Sequence, residues 1–185
     1  MARKKSGRKR ENQMLGGMVV RYVLMILTAV PNLWIFYFIF TPLTVYPSYY
    51  LAKLFFSGVS LMGTTIFIGR TPIQLIEACI AGAAYYLLFI LNLSVPGINA
   101  KKRIRMILLS FVSLLALNLI RIAVLMFIFV SGYSFFDLAH AIFWYALSTL
   151  FVIGIWFAEV KIFSIKNIPV YSDIKFLLKK TRPRK

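Results

Sequence analysis

Long apolar runs, separated by short polar or basic stretches, dominate the pattern along the chain. Four of them, at residues 16–40, 78–95, 104–131 and 137–158, are close to or longer than the roughly 20 apolar residues that a helix needs to cross a bilayer. Pro31 lies inside the first run and predicts a kink there. The pattern therefore predicts an all-α fold, a polytopic membrane helix bundle with about four transmembrane helices.

A further apolar stretch, residues 43–68, contains prolines, glycines and a lysine, and its length also permits a crossing. A crossing here would move the basic cluster at 101–105 to the outside, against the positive-inside rule. We therefore expect the stretch to remain on the outer face, with an interfacial or re-entrant helix near residues 49–60. Residues 64–69 and 73–76 then predict two strands of a short β-hairpin.

The net charge of +17 is concentrated in basic clusters at residues 1–10, 101–105 and 161–185, which flank the apolar runs. Such clusters mark cytoplasmic segments and attract anionic lipid headgroups. Nucleic acid is not the expected partner, because the aromatic residues lie inside the apolar runs and not among the basic ones. We expect a multi-pass protein of the plasma membrane with both termini in the cytoplasm.

Three segments follow from this pattern: a basic cytoplasmic tail without fixed structure at 1–13, a membrane-embedded domain at 14–160 and a second basic cytoplasmic tail at 161–185. The first apolar run has the length of a membrane span, which argues against a cleaved signal peptide. Glu159 and Lys161 follow the fourth run, where we expect both side chains to reach water.

Arg121 is the charged residue that the apolar pattern explains least. It lies well inside the run 104–131, where insertion of an arginine costs about 2.5 to 3.5 kcal/mol. Its side chain is therefore expected to face protein or water and not lipid. Asn118 is three residues earlier, so the amide and the guanidinium share one helix face.

Cys79 and His140 are the only cysteine and the only histidine in the chain. A single cysteine excludes an internal disulfide, a Cys/His metal site is unsupported, and no cofactor is indicated. With the predicted topology, Cys79 begins the second span, His140 opens the fourth, and Arg121 lies in the outer half of the third. The three side chains are therefore expected to converge near the extracytoplasmic face.

Each of these residues also has a structural interpretation. Cysteine is often a small apolar packing residue, and a membrane histidine is often a hydrogen-bonded interface residue. A place in the first turn of a long helix would favour the Cys79 thiolate, whereas Glu77 would oppose it if its carboxylate pointed inward. Asp137 lies one turn before His140 and is expected to cap the helix or to orient the imidazole.

Three motifs resemble the exosortase/archaeosortase family: E-A-C-I-A-G at residues 77–82, N-L-I-R-I at 118–122, and His140. The resemblance covers about residues 60–158, and its most specific part is the order Cys, Arg, His on successive helices. Many family members have Ser where this chain has Ile80. The resemblance implies a membrane-embedded cysteine transpeptidase, whose substrates are membrane-anchored surface proteins with a C-terminal sorting signal.

The implied chemistry is acyl transfer. Cys79 would attack the substrate carbonyl and form a thioester, Arg121 would stabilise the thiolate and the oxyanion, and His140 would act as general acid and base. The acceptor would be a lipid-linked group, an amine or water. Two alternatives belong to other classes: a small transporter or channel subunit with an Arg121 site, and a non-enzymatic scaffold with lipid-binding tails.

Overall fold

The computed structural model describes residues 2–165, with side chains described from residue 16 onward except at 144 and 147. The fold is mostly helical and contains one small sheet. The elements in chain order are α1 (Ala2–Ala29), α2 (Trp34–Phe55), β1 (Val59–Met62), β2 (Thr65–Ile68), β3 (Thr71–Gln74), α3 (Glu77–Ile80), α4 (Gly82–Ser94), α5 (Ala100–Val130), α6 (Phe136–Ile142), a π-helical segment (Phe143–Leu147) and α7 (Ser148–Ile162).

Within residues 2–165, two helical segments are long and apolar enough to cross a membrane, Glu77–Ser94 and Ala100–Val130. A third crossing is present if Gly16–Ala29 and Trp34–Phe55, which are bent by 66° relative to each other, form one span. The fourth predicted span, 137–158, is divided among α6, the π-helical segment and α7. Large apolar side chains are exposed on the outward faces of the helices, as lipid contact requires.

The first predicted span ends earlier than expected. The kink predicted at Pro31 is confirmed as a complete break: the chain leaves α1 after Ala29, and Asn32 and Leu33 adopt positive φ angles of 47° and 59°. The new helix, α2, then continues to Phe55 through Pro42 and Pro47, because an isolated proline removes one N–H without necessarily ending a membrane helix. The separate interfacial helix predicted near residues 49–60 is therefore the last part of α2.

The N-terminal segment is also more regular than predicted. Residues 1–13 were expected to lack fixed structure, but α1 begins at Ala2 and continues into the apolar segment without a break. Lysine, arginine, glutamate and glutamine are all good helix formers, so a basic composition alone does not prevent a helix. The second basic tail lies outside the described residues from residue 166 onward.

The predicted hairpin is confirmed as part of a three-stranded antiparallel sheet with the order β1-β2-β3. Its second strand occupies Thr71–Gln74 rather than 73–76, and the register pairs Ile66 with Ile73. The first strand, β1, was not predicted, because Val59–Met62 lay in a stretch assigned to the interfacial helix. Gly63 (φ 60°) supplies the positive φ angle that turns β1 into β2.

The core lies where α2 packs on α4 and α5. The rings of Phe40 and Tyr85 stack at a centroid distance of 3.5 Å, and Phe111 meets both rings edge-on. A few residues earlier, the ring of Tyr37 lies so close to Gly82 that a Cβ atom there would be 2.7 Å from it. This contact packs α2 directly against the chain that carries Cys79.

The basic cluster at 101–105 forms the first turns of α5, and two of its side chains donate hydrogen bonds to the carbonyl groups at the ends of other helices. Arg103 donates to the carbonyls of Asn92, Leu93 and Val95 at the C-terminal end of α4, at 2.6 to 2.8 Å. Lys102 Nζ donates to the carbonyl of Phe163 just after α7, at 2.7 Å. The last carbonyls of a helix have no intrahelical donor, so these cations stabilise two helix C-termini at the same end of the bundle.

Candidate active site

A helix break positions Cys79. The predicted second span is interrupted at Ala81, which has left-handed backbone angles (φ 61°, ψ 33°) and separates the four-residue α3 from α4. Cys79 is therefore the third residue of a short turn and not part of the first turn of a long helix. The expectation that a full helix dipole favours its thiolate is wrong for this reason, because the macrodipole requires a run of aligned peptides.

Asn118 and Arg121 hold the backbone of this turn. Asn118 Nδ2 donates to the carbonyl oxygen of Cys79 at 2.8 Å. Arg121 Nη2 donates to the carbonyls of Ala78 at 3.2 Å and Cys79 at 3.4 Å. Both side chains are buried, with exposed fractions of 2% and 5%. The predicted shared helix face is thus confirmed, and its target is the carbonyl group of the cysteine itself.

Ser148 completes what we call the arginine cluster, which comprises Arg121, Asn118 and Ser148. Arg121 Nη1 donates to Ser148 Oγ at 2.9 Å, and Ser148 Oγ donates to the carbonyl of Phe143 at 2.9 Å, across the π-helical segment. Sequence reasoning missed Ser148, although a hydroxyl within an apolar run is the signal that could have identified it. Arg121 Nε is buried without a hydrogen-bond partner within the described structure.

Cys79 and His140 line the same cavity, which has a volume of about 250 Å³. Both side chains are half-buried, and the imidazole stacks on the ring of Phe136 at a centroid distance of 5.8 Å. The other walls come from β3 and from apolar residues of α5, including Ile122 and Met126. A thiol and an imidazole that share one small cavity are the residue types needed for nucleophilic catalysis.

Arg121 does not line this cavity. Its side chain lines a neighbouring cavity of about 570 Å³ together with Tyr37, Glu77 and Ser148. The guanidinium is nevertheless close enough to interact electrostatically with Cys79. The structure therefore brings Cys79 and His140 to one cavity and places the positive charge at the backbone of the cysteine.

The two acidic residues predicted to support the site are both exposed. Asp137 is the second residue of α6, whose N-cap is Phe135 and carries no side-chain cap bond, so the capping role predicted for Asp137 is wrong. Glu77 lines the cavity of Arg121 and not that of Cys79. Among the described side chains, which begin at residue 16, no group of three or more His, Cys, Asp or Glu could hold a metal ion.

A second polar group of residues lies deep in the bundle. Glu159, predicted to reach water, is only 1% exposed, whereas Lys161 is exposed. Ser110 Oγ lies 2.5 Å from Glu159 Oε1, and Asn92 Nδ2 donates to Glu159 Oε2 at 3.1 Å and to Ser110 Oγ at 2.8 Å. We call these three residues the glutamate cluster. They join α4, α5 and α7. Because the three residues are far apart in the sequence, the apolar pattern does not reveal that they contact one another.

Comparison of the chain with family models, with curated proteins and with solved structures finds no significant match.

Proposed function

We propose that the chain is a membrane-embedded cysteine transpeptidase of the exosortase/archaeosortase type. It would cleave the C-terminal sorting signal of membrane-anchored surface proteins and transfer the cleaved proteins to a membrane or lipid-linked acceptor. One observation carries the proposal: the only thiol and the only imidazole of the chain line one cavity, and a buried guanidinium donates to the carbonyl of that cysteine.

The residues support a two-step acyl transfer. His140 accepts the proton of the Cys79 thiol, and the thiolate attacks the substrate carbonyl, which forms a C–S bond and an oxyanion. Collapse of this intermediate breaks the C–N bond, and the imidazolium returns its proton to the leaving amine. The amine or hydroxyl of the acceptor then attacks the thioester, His140 accepts its proton, and the proton passes back to the thiol of Cys79.

Arg121 would act as a positioning residue and as a fixed positive charge. Its two hydrogen bonds to backbone carbonyls hold the turn that presents Cys79, and a third to Ser148 fixes the orientation of the guanidinium. An arginine remains charged in a low-dielectric surrounding, so it would stabilise both the thiolate and the oxyanion. This role gives a reason for burying a cation that is expensive in a membrane segment.

The charge distribution supports an extracytoplasmic site. Arg103 and Arg121 both belong to α5 and are 18 residues apart in the sequence, which is roughly 27 Å at the rise of an α-helix. The basic end with Arg103 and Lys102 would face the cytoplasm by the positive-inside rule. The cavity of Cys79 and His140 would then lie near the opposite face, where a surface protein is held by its membrane anchor, and both termini would be cytoplasmic.

The test is processing of a tagged surface protein that carries a C-terminal membrane helix and a basic cluster, expressed together with this chain. We expect cleavage to require Cys79 and Arg121, and hydroxylamine to release the thioester as a hydroxamate at the new C-terminus. Thr149→Ala is the control, because Thr149 is exposed and its hydroxyl donates to the carbonyl of Tyr145, four residues earlier. Unchanged cleavage in both Cys79→Ala and Arg121→Ala would remove the proposal.

A further inference from the structure

The sheet has a free edge beside the cavity of Cys79. In the order β1-β2-β3, strand β3 has a neighbour on one side only within residues 2–165. Residues of an antiparallel strand alternately direct their backbone groups toward the partner strand and away from it. The N–H of Leu75 donates to the carbonyl of Thr64 at 3.0 Å, so Leu75 faces β2, and by alternation Ile73 does too.

Pro72 and Gln74 therefore direct their backbone groups toward the free edge. Pro72 has no N–H, and a proline is tolerated in a strand where its missing donor faces away from the partner. The edge thus offers one carbonyl at Pro72 and both an N–H and a carbonyl at Gln74. Among residues 2–165, no backbone group bonds to these three.

The free edge and the thiol face the same space. Residues 72–75 form one wall of the cavity that Cys79 and His140 also line, and the opposite wall is apolar. An unpaired strand edge is a template for the backbone of another extended chain, which it binds through main-chain hydrogen bonds whatever the side chains are. The edge groups are therefore complementary to an extended polypeptide and not to a lipid tail or a small solute.

We infer that a segment of the substrate polypeptide binds along β3 as a fourth strand and is thereby led to Cys79. Gln74 would form two hydrogen bonds with the substrate backbone and Pro72 one. The apolar side of the cavity would receive an uncharged side chain next to the cleaved bond. This inference rests on the proposed function, since it assigns the occupant of the same cavity as a peptide.

The test compares two kinds of thiol reagent on the full chain in lipid nanodiscs, with labelling of Cys79 measured by mass spectrometry. One is a library of N-acetyl tetrapeptide vinyl sulfones, and the other is iodoacetamide, which has no peptide backbone. Gln74→Pro removes the edge N–H, and we expect about tenfold slower labelling by the peptide reagents, the effect of one lost hydrogen bond. Labelling by iodoacetamide should stay unchanged.

Gln74→Ala is the matched comparison, because it keeps the backbone N–H and removes only the side chain; the peptide reagents should label it much faster than they label Gln74→Pro. Peptide reagents with single N-methylated amides give a second measurement that needs no variant. Methylation at every second position should slow labelling, and methylation at the intervening positions should not, since only alternate amides face β3.

The inference is overturned if Gln74→Pro labels normally with the peptide reagents, if Gln74→Ala is equally slow, or if N-methylation shows no alternation. Failure of the proposed function gives a different result. In that case Cys79 would resist both reagents, or Arg121→Ala would label with the peptide reagents as fast as the unsubstituted protein.

Discussion

The arginine cluster and the glutamate cluster contain the same kinds of residue but bind different partners. Each combines one ionisable side chain, one asparagine and one serine, nearly all of them buried, and each uses α5. In the arginine cluster the charged group and the amide bond to backbone carbonyls of α3, next to a helix break and two cavities. In the glutamate cluster the carboxyl group bonds to side chains of regular helices.

The difference indicates two roles for expensive buried polarity. A group that bonds to irregular backbone fixes a conformation that the local sequence would not adopt, which is how a reactive side chain is positioned. A group on one regular helix that bonds to side chains of two others ties the three helices together without changing any of them. We therefore expect the arginine cluster to determine activity and the glutamate cluster to determine stability.

Cys79→Ala is the substitution with the largest expected effect, and it should abolish activity without lowering stability. Cys79→Ala removes the nucleophile, so we expect processing to fall by a factor on the order of 10⁴ to 10⁶, as for other covalent catalysts. Cys79 is a small, half-buried residue, and its loss should leave the thermal midpoint of the protein almost unchanged. The measurement is processing of the tagged substrate together with unfolding in detergent; a large drop in midpoint would contradict this separation.

Arg121→Ala should reduce processing by roughly 10² to 10³, comparable to the loss of a main electrostatic stabiliser. Arg121→Lys should recover little of this, because an ammonium cannot bond to Ser148 and the carbonyls in one fork. If the guanidinium acts through its charge and position, added ethylguanidinium should restore part of the activity of Arg121→Ala. A purely structural role predicts no rescue.

Glu159→Ala is expected to affect stability and not chemistry. It removes the hydrogen bonds from Asn92 and Ser110 to the carboxyl group, at a cost of about 0.5 to 1.5 kcal/mol for each bond, because Asn92 and Ser110 keep other hydrogen-bond partners. Glu159→Gln keeps two hydrogen-bonding atoms in place and should lose much less. Equilibrium unfolding in mixed micelles measures the stability of both variants. Loss of processing in Glu159→Gln at full stability would contradict the division between the clusters.

The sequence was informative at several positions where a residue departs from the apolar pattern. Arg121 and Asn118 were predicted to share one helix face because both interrupt a long apolar run at helical spacing, and the structure confirms that the two side chains share a face. The β2–β3 turn was identified because Gly69 and Pro72 are strong turn signals. In these places, local chemistry determines local structure.

The features that were not predicted from the sequence depend on contacts between residues that are distant in the chain. The helix break occurs at Ala81, and alanine is the strongest helix former, so no local signal predicts it. The break coincides with the tight contact between Gly82 and the ring of Tyr37 and with the Arg121 bonds to α3. Glu159 was misjudged for a similar reason, because its partners Ser110 and Asn92 are 49 and 67 residues away.

Ser148→Ala is the substitution with the smallest expected effect, and it tests directly whether Ser148 orients the guanidinium of Arg121. The change removes one acceptor from Arg121 Nη1, so we expect a stability loss of about 1 to 2 kcal/mol and a severalfold slower reaction of Cys79 with the peptide reagents. Thr149→Ala, one residue later, removes a hydroxyl that does not contact Arg121 and should change neither quantity. If the two variants behave alike, the guanidinium does not depend on Ser148 for its orientation, and the arginine cluster is smaller than its hydrogen bonds indicate.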